Sequence, residues 1–329
     1  MKKYEIKYVD AFTTSPFHGN SVAVITDAEG LTTNDMYKIA GEINLSESTF
    51  VNSPESKGAA ARIRFFTPDV EYDLSGHAMI GTCLVLADNG TITLKDGLTR
   101  VIIDTKIGPV PIEFDFEMES HRSGASVEGD HIRLTGTNRG LLRRIMMQKT
   151  VTGHRPATFD LDDIANTLGI DSGLILQTGL PMEILSNGLI QLVIPIQNHT
   201  ALSNMNPDLI KLKLMNDKLG IQTVDIFTLD SLDDKSITYS RHFSPGSGLW
   251  EDPGSGTAAV SIATYLARHG VISKGSYVMK QGRELDQLCD VFVDIRETRE
   301  GLESAWVGGL AVTSIKRKMS IQDQSITIV

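Results

Sequence analysis

Residues 80–86 and 258–266 are small or apolar on almost every side of a helical projection. A helix without a polar face is buried all round. The rest of the chain is patterned differently. Met36, Ile39, Ala40 and Ile43 recur at i, i+3, i+4 and i+7, which predicts an amphipathic helix, and Thr32 with Asp35 reads as its capping box. Leu161, Ile164, Ala165 and Leu168 predict another helix capped by Asp160, and Leu209, Ile210 and Leu212 a weaker one after Pro207. Residues 20–25 and 187–194 read as strands that follow turns at Gly19-Asn20 and Asn187-Gly188. Strands around a helix that is buried on every side imply a curved sheet wrapped about one central helix.

The two buried segments are copies of one another. Residues 75–90 (SGHAMIGTCLVLADNG) and 255–270 (SGTAAVSIATYLARHG) align without gaps, with 6 of 16 positions identical. Upstream, Arg64-Phe65-Phe66-Thr67-Pro68 corresponds to Arg241-His242-Phe243-Ser244-Pro245 as R-x-F-[ST]-P, in the same order relative to the helix. A fixed pair of motifs in the same order points to a duplicated unit. The predicted fold is therefore α+β, with two pseudo-repeated lobes, each a curved sheet around a central buried helix. The N-terminal lobe is expected over residues 1–135 and the C-terminal lobe over 136–312. The polar stretch 117–149 holds either the crossover between them or an insertion.

Composition narrows the function. The chain has 329 residues, 41% of them hydrophobic and 22% charged, which is ordinary for a globular protein of two domains. Its net charge is −10. Nucleic-acid binders carry a basic face, and the only basic runs here are Arg143-Arg144 and Lys316-Arg317-Lys318, so no nucleic-acid partner is expected. No apolar run approaches the ~20 residues of a membrane span. Two cysteines, Cys83 and Cys289, make no disulfide framework and suit a reducing cytoplasm. Both fall in apolar segments and read as packing residues.

Chemistry concentrates at the two repeat loops, Ser75-Gly76-His77-Ala78 and Ser255-Gly256-Thr257-Ala258. Each feeds the N-terminus of a buried helix, whose first N–H groups lack internal partners and carry partial positive charge. Gly76 and Gly256 let a ligand approach the backbone. Such ends bind anions, and a pair facing one cleft would suit a carboxylate, although a glycine there also serves a plain tight turn. Three side chains stand out: Glu47 between a helix and a strand, His77 in the first loop, and Asp252 before the second. Each also has a structural reading, as a solvated turn residue, a helix cap and a turn initiator before Pro253. Phosphate-loop, dinucleotide and nucleophile-elbow motifs are absent from the sequence, as is zinc-ligand spacing. No cofactor or metal is expected.

At this point the residues resemble a known family. Val9-Asp10-Ala11-Phe12, with Pro16-Phe17 and Gly19-Asn20, is similar to the opening of the PhzF-like phenazine-biosynthesis family. Asn44-Leu45-Ser46-Glu47-Ser48-Thr49-Phe50-Val51, Gly76-His77-Ala78 and Glu251-Asp252-Pro253-Gly254-Ser255-Gly256-Thr257-Ala258 resemble its later signatures, as do Gln281-Gly282-Arg283 and Gly308-Gly309. The resemblance implies a diaminopimelate-epimerase-like fold, in which each lobe is a barrel-like sheet around its central helix, a homodimer, and a C-terminal segment, residues 313–329, that returns to the first lobe. It implies a cofactor-independent isomerase that moves a proton on a small carboxylate, with Glu47 as shuttle and His77 and Asp252 beside it. Gly76, Ala78, Gly256, Thr257 and Ala258 would bind the substrate. Thr257 stands where the family usually has Ser, and Ala78 where it usually has Pro. The alternatives are a racemase or epimerase of a small amino or hydroxy acid, and a carboxylate-binding protein without catalysis.

Overall fold

The computed structural model describes residues 2–119, 130–149, 151–157, 159–231, 233–246, 250–297, 303–322 and 325–328. The chain divides into two compact units, Met1–Gln148 with Gly308–Val329, and Lys149–Val307. Each is built on the same strand sequence. In the first, strands Lys2–Ala11, Asn20–Ile25, Glu47–Asn52, Ala61–Phe66, Gly97–Thr105 and Gly108–Met118 lie side by side in that order. Successive pairs run antiparallel, parallel, antiparallel, parallel and antiparallel. In the second, Glu183–Ser186, Ile190–Pro195, Thr223–Thr228, Ser236–Phe243, Gly275–Gln281 and Cys289–Glu297 repeat that pattern pair by pair.

The buried helices form at the two repeat segments. The first, Gly76–Asp88, is buried from His77 to Ala87 and packs on strands Lys2–Ala11, Asn20–Ile25 and Glu47–Asn52. The second, Gly256–Arg268, packs on Ile190–Pro195 and Cys289–Glu297. The two cores seat their helices differently. A Cβ on Gly81 would stand 2.6 Å from Val22 Cγ1, so the first helix meets its sheet through bare backbone. The corresponding Ser261 hydroxyl instead accepts from Asn187 and Gln191 side chains at 3.1 and 2.8 Å. Thr49 and Thr82 share the first core's buried polar contact, at 2.8 Å.

The amphipathic helices follow their sequence signals. Thr33–Ile43 carries the Thr32/Asp35 capping box, Leu161–Leu168 is capped by Asp160, and Leu209–Leu219 by Asp208. The strand expected from Asn187 begins at Ile190 instead. Asn187 forms the turn, and its side chain is engaged by the second central helix at Thr257 O and Ser261. The C-terminal return starts two residues ahead of the expected 313. Strand Ala311–Gln322 pairs antiparallel with Lys2–Ala11 along its length.

Residues 136–148 lie with the first unit, because strand Gly140–Lys149 pairs along Gly108–Met118. Of the uncertain polar stretch, residues 120–129 lie outside the described residues. Its described part locks the end of the first central helix. Buried Asn138 donates from Nδ2 to Ala87 O and Ile92 O, at 2.6 and 2.7 Å, and its Oδ1 accepts from Leu94 N at 2.8 Å. Asn138→Ala takes their partner from Ile92 O and Leu94 N, each worth about 1–3 kcal/mol when left unpaired, while Ala87 O keeps its bond from Gly90 N at 3.3 Å. The expected loss is roughly 2 kcal/mol or more in urea unfolding. A loss below about 1 kcal/mol would remove Asn138 from this role. Among the described residues no helix is long and apolar enough to cross a membrane.

Candidate active site

Glu47 reaches its position through a left-handed helix stop. The helix Thr33–Ile43 ends at Asn44, whose φ is 53° and whose N–H donates to Ala40 O. Three residues later the chain enters strand Glu47–Asn52, with Glu47 opposite Val22 in a parallel pair. Side chains alternate across a strand. Glu47 therefore shares a face with Thr49, which is bonded to the central helix through Thr82. That face brings Glu47 to the first turn of the helix, where its Oε2 lies 4.0 Å from His77 Nε2, with both side chains largely buried. This separation is longer than a hydrogen bond. The opposite ring nitrogen, His77 Nδ1, stands 3.4 Å from Ser75 Oγ.

A third side chain joins this pair. Strand Glu71–Tyr72 sets Tyr72 opposite Phe65, and Phe65 is opposite Thr49, so Thr49, Phe65 and Tyr72 form one row. Burial, and then the negative charge of Glu47, hold the Tyr72 hydroxyl above its ordinary pKa. Tyr72 is thus a neutral hydroxyl within the field of Glu47. The repeat pointed to it: Tyr72 stands three residues before Ser75, as Asp252 does before Ser255.

The two helix starts differ in how they are capped. Ser75 makes no side-chain cap to the first helix. Ser255 Oγ accepts from Ala258 N at 3.2 Å and shares a 2.8 Å contact with Thr257 Oγ1. The Ala258 amide is therefore already engaged within its own loop. Ala78 and Ala258 have buried side chains and can offer a ligand only backbone. The Thr257 carbonyl accepts from Asn187 Nδ2 at 2.8 Å, and its hydroxyl stays in the Ser255 contact. Gln281 braces the loop, receiving Ser255 N at 3.1 Å and donating to Asp252 O at 2.8 Å. Asp252 Oδ1 accepts from Gly254 N at 3.2 Å.

Behind each loop lies the same ion pair. Arg64 holds Glu71 through two bonds of 2.7 and 2.9 Å, and Arg241 holds Glu251 through two of 2.8 Å. Each guanidinium also stacks 5.0 Å from a phenyl ring, Phe66 or Phe243. Sequence reasoning noted the arginines but not their partners. The signal was present, because Glu71 and Glu251 each stand four residues before the loop serine. These pairs fix the short strands that carry Tyr72 and Asp252. Cys83 and Cys289 are both buried, and burial holds both thiols well above their ordinary pKa. Among the described residues, no group of three or more His, Cys, Asp or Glu is placed to hold a metal ion.

The duplicated sheet-and-helix unit and its polar helix starts define an α+β protein of the diaminopimelate-epimerase-like class. A solved hydroxyproline epimerase from Agrobacterium vitis has this fold, with a TM-score of 0.60 and 11% identity over 98% of this chain and 93% of that one. The family is more specific. The family model described as "Phenazine biosynthesis-like protein" matches residues 9–317, and the chain belongs to that family. It resembles a Bacillus anthracis phenazine biosynthesis protein of the PhzF family, with a TM-score of 0.82 and 25% identity over 98% of this chain and all of that one. It is 31% identical to the trans-2,3-dihydro-3-hydroxyanthranilate isomerase of Pseudomonas chlororaphis, over 93% of this chain and 95% of that protein. By class the protein is an isomerase.

Proposed function

We propose that the protein is a cofactor-independent isomerase that moves a proton within a small carboxylate, with Glu47 as the acid/base. The carrying observation is the pairing of Glu47 with His77, 4.0 Å apart at the start of a helix without a side-chain cap. At that separation the carboxylate and the imidazole can each meet a different atom of one small substrate. Glu47 takes a proton from an activated carbon and returns it elsewhere on the conjugated system, while His77 binds a polar substituent. The amides of Gly76 and Ala78 stabilise the negative charge that develops as the proton leaves. Tyr72, kept neutral, donates a hydrogen bond. The loop of the second unit offers Gly256 and Thr257 to a substrate carboxylate, and Asp252 as acceptor for a polar hydrogen. Ala258 shapes this loop, since Ser255 already takes its amide.

The racemase reading asks for exposed, activated cysteines on opposite sides of a carbon. The two thiols here are buried and held protonated, which favours one-base chemistry by Glu47. The P. chlororaphis relative suggests the first compound to try. In D2O the protein is expected to place deuterium on carbon in trans-2,3-dihydro-3-hydroxyanthranilate or a related unsaturated carboxylate, detected by proton NMR and mass. Racemisation of free amino acids without such uptake would replace this proposal with the epimerase reading. Absence of uptake across a panel of such carboxylates, with saturable binding of one of them, would leave a binding protein.

A further inference from the structure

The repeat is most unequal in one row of side chains beneath the second loop. In the second unit Asp225 is the register partner of His242, and His242 is the register partner of Asp252. Residues directly opposite in antiparallel strands share a face, with Cβ atoms about 4.5–5.5 Å apart. The three thus stand side by side as carboxylate, imidazole, carboxylate. The same row in the first unit is Thr49, Phe65 and Tyr72, with no charge at neutral pH. The fold therefore does not require charge there.

His242 Nδ1 lies 2.5 Å from Asp225 Oδ1, and both residues are buried, Asp225 completely. Asp225 Oδ2 is buried and takes no hydrogen bond from the described residues. A carboxylate so placed needs a positive neighbour. Burial alone would strip the proton from His242. Asp225 first, by charge and hydrogen bond, then Asp252 and Glu251 outweigh it and hold the imidazole above its ordinary pKa. Of these groups, Glu251 is already bound to Arg241. Asp252 belongs to the loop that Gln281 and Ser255 brace.

We infer that His242 is a positioning residue for Asp252: pinned by Asp225, it presents a fixed positive charge to the Asp252 carboxylate and sets the charge and orientation with which Asp252 meets the substrate. This rests on the reading of Asp252 as a substrate contact. It gives the buried dyad a use that no packing argument supplies, since the matching row of the first unit does without it.

Two measurements test it. The first needs no substrate. Histidine carbon–proton NMR spectra, assigned with a His242→Gln variant, follow the titration of His242 in wild type and in Asp252→Asn. The midpoint is expected to fall by roughly 0.5 pH unit or more when the Asp252 charge is removed. An unchanged midpoint overturns the inference. The second compares deuterium uptake across pH. Wild-type kcat/KM should fall as pH rises through the His242 midpoint, and His242→Gln should be lower by about tenfold or more with that limb absent. A wild-type profile and rate in the variant also overturn it. Should His242→Gln fail to fold, the His242→Phe, Asp225→Thr double variant copies the Thr49–Phe65 pair of the first unit, leaves Asp252 in place and is read the same way. If wild type gives no uptake with any carboxylate, the proposed isomerisation has failed, and the NMR comparison alone decides whether His242 is coupled to Asp252.

Discussion

Glu47→Gln is expected to lower solvent deuterium uptake by a factor on the order of 10²–10⁴, the usual contribution of a positioned acid/base. Glutamine keeps the shape and hydrogen-bonding reach of the side chain but cannot take and return a proton. The fold should survive. Glu47 opens its strand rather than sitting mid-ladder, and the packing of that strand comes from Phe50 and the Thr49–Thr82 contact. The thermal midpoint should stay within a few degrees, as for a substitution worth about 1 kcal/mol. Uptake at the wild-type rate in Glu47→Gln would remove Glu47 from the chemistry and turn attention to His77 and Tyr72. His77→Asn should cost less, because an amide can still bind a polar substituent at that position.

Much of the fold was legible because its strongest signals are local. The absence of a polar face in 80–86 and 258–266 identified the central helices, capping residues located two more, and the start of a third was read after Pro207. Duplication was visible because the loops and helices kept their residues. The rest depended on pairing between distant strands. Nothing near residue 140 says that its strand lies along Gly108–Met118, and nothing near residue 311 says that it returns to Lys2–Ala11. The site divides in the same way. Glu47, His77 and Asp252 stood out by motif, whereas the Tyr72 and His242 rows exist only through register. His242 was hidden for a further reason. Its counterpart in the repeat is Phe65, so the alignment presented it as a core position.

Arg241→Met is expected to destabilise the second unit by about 3–5 kcal/mol, the cost of leaving a buried charge without its partner. The guanidinium spends every face. Nε and one terminal nitrogen hold both Glu251 oxygens, the other reaches Met205 O at 2.8 Å and Leu202 O at 3.3 Å, and the plane lies over Phe243. The side chains of the pair are only 9% and 14% exposed, so water can do little for Glu251 once Arg241 is gone. In the first unit both Arg64 and Glu71 are 18% exposed. Beyond Glu71, Arg64 binds Thr33 Oγ1 and Met36 Sδ rather than backbone carbonyls. Arg64→Met should therefore cost less. Lysine is no substitute at Arg241, because it cannot reproduce the two-pronged grip. Urea unfolding of the single variants checks the order, and a cost for Arg241→Met below that of Arg64→Met would refute it. The Arg241→Met, Glu251→Met double variant separates the causes. If the damage comes from the orphaned carboxylate, removing it should recover most of the lost stability. Activity should not recover with it, because the Glu251 strand also carries Asp252 and would have lost the ion pair that holds it in place.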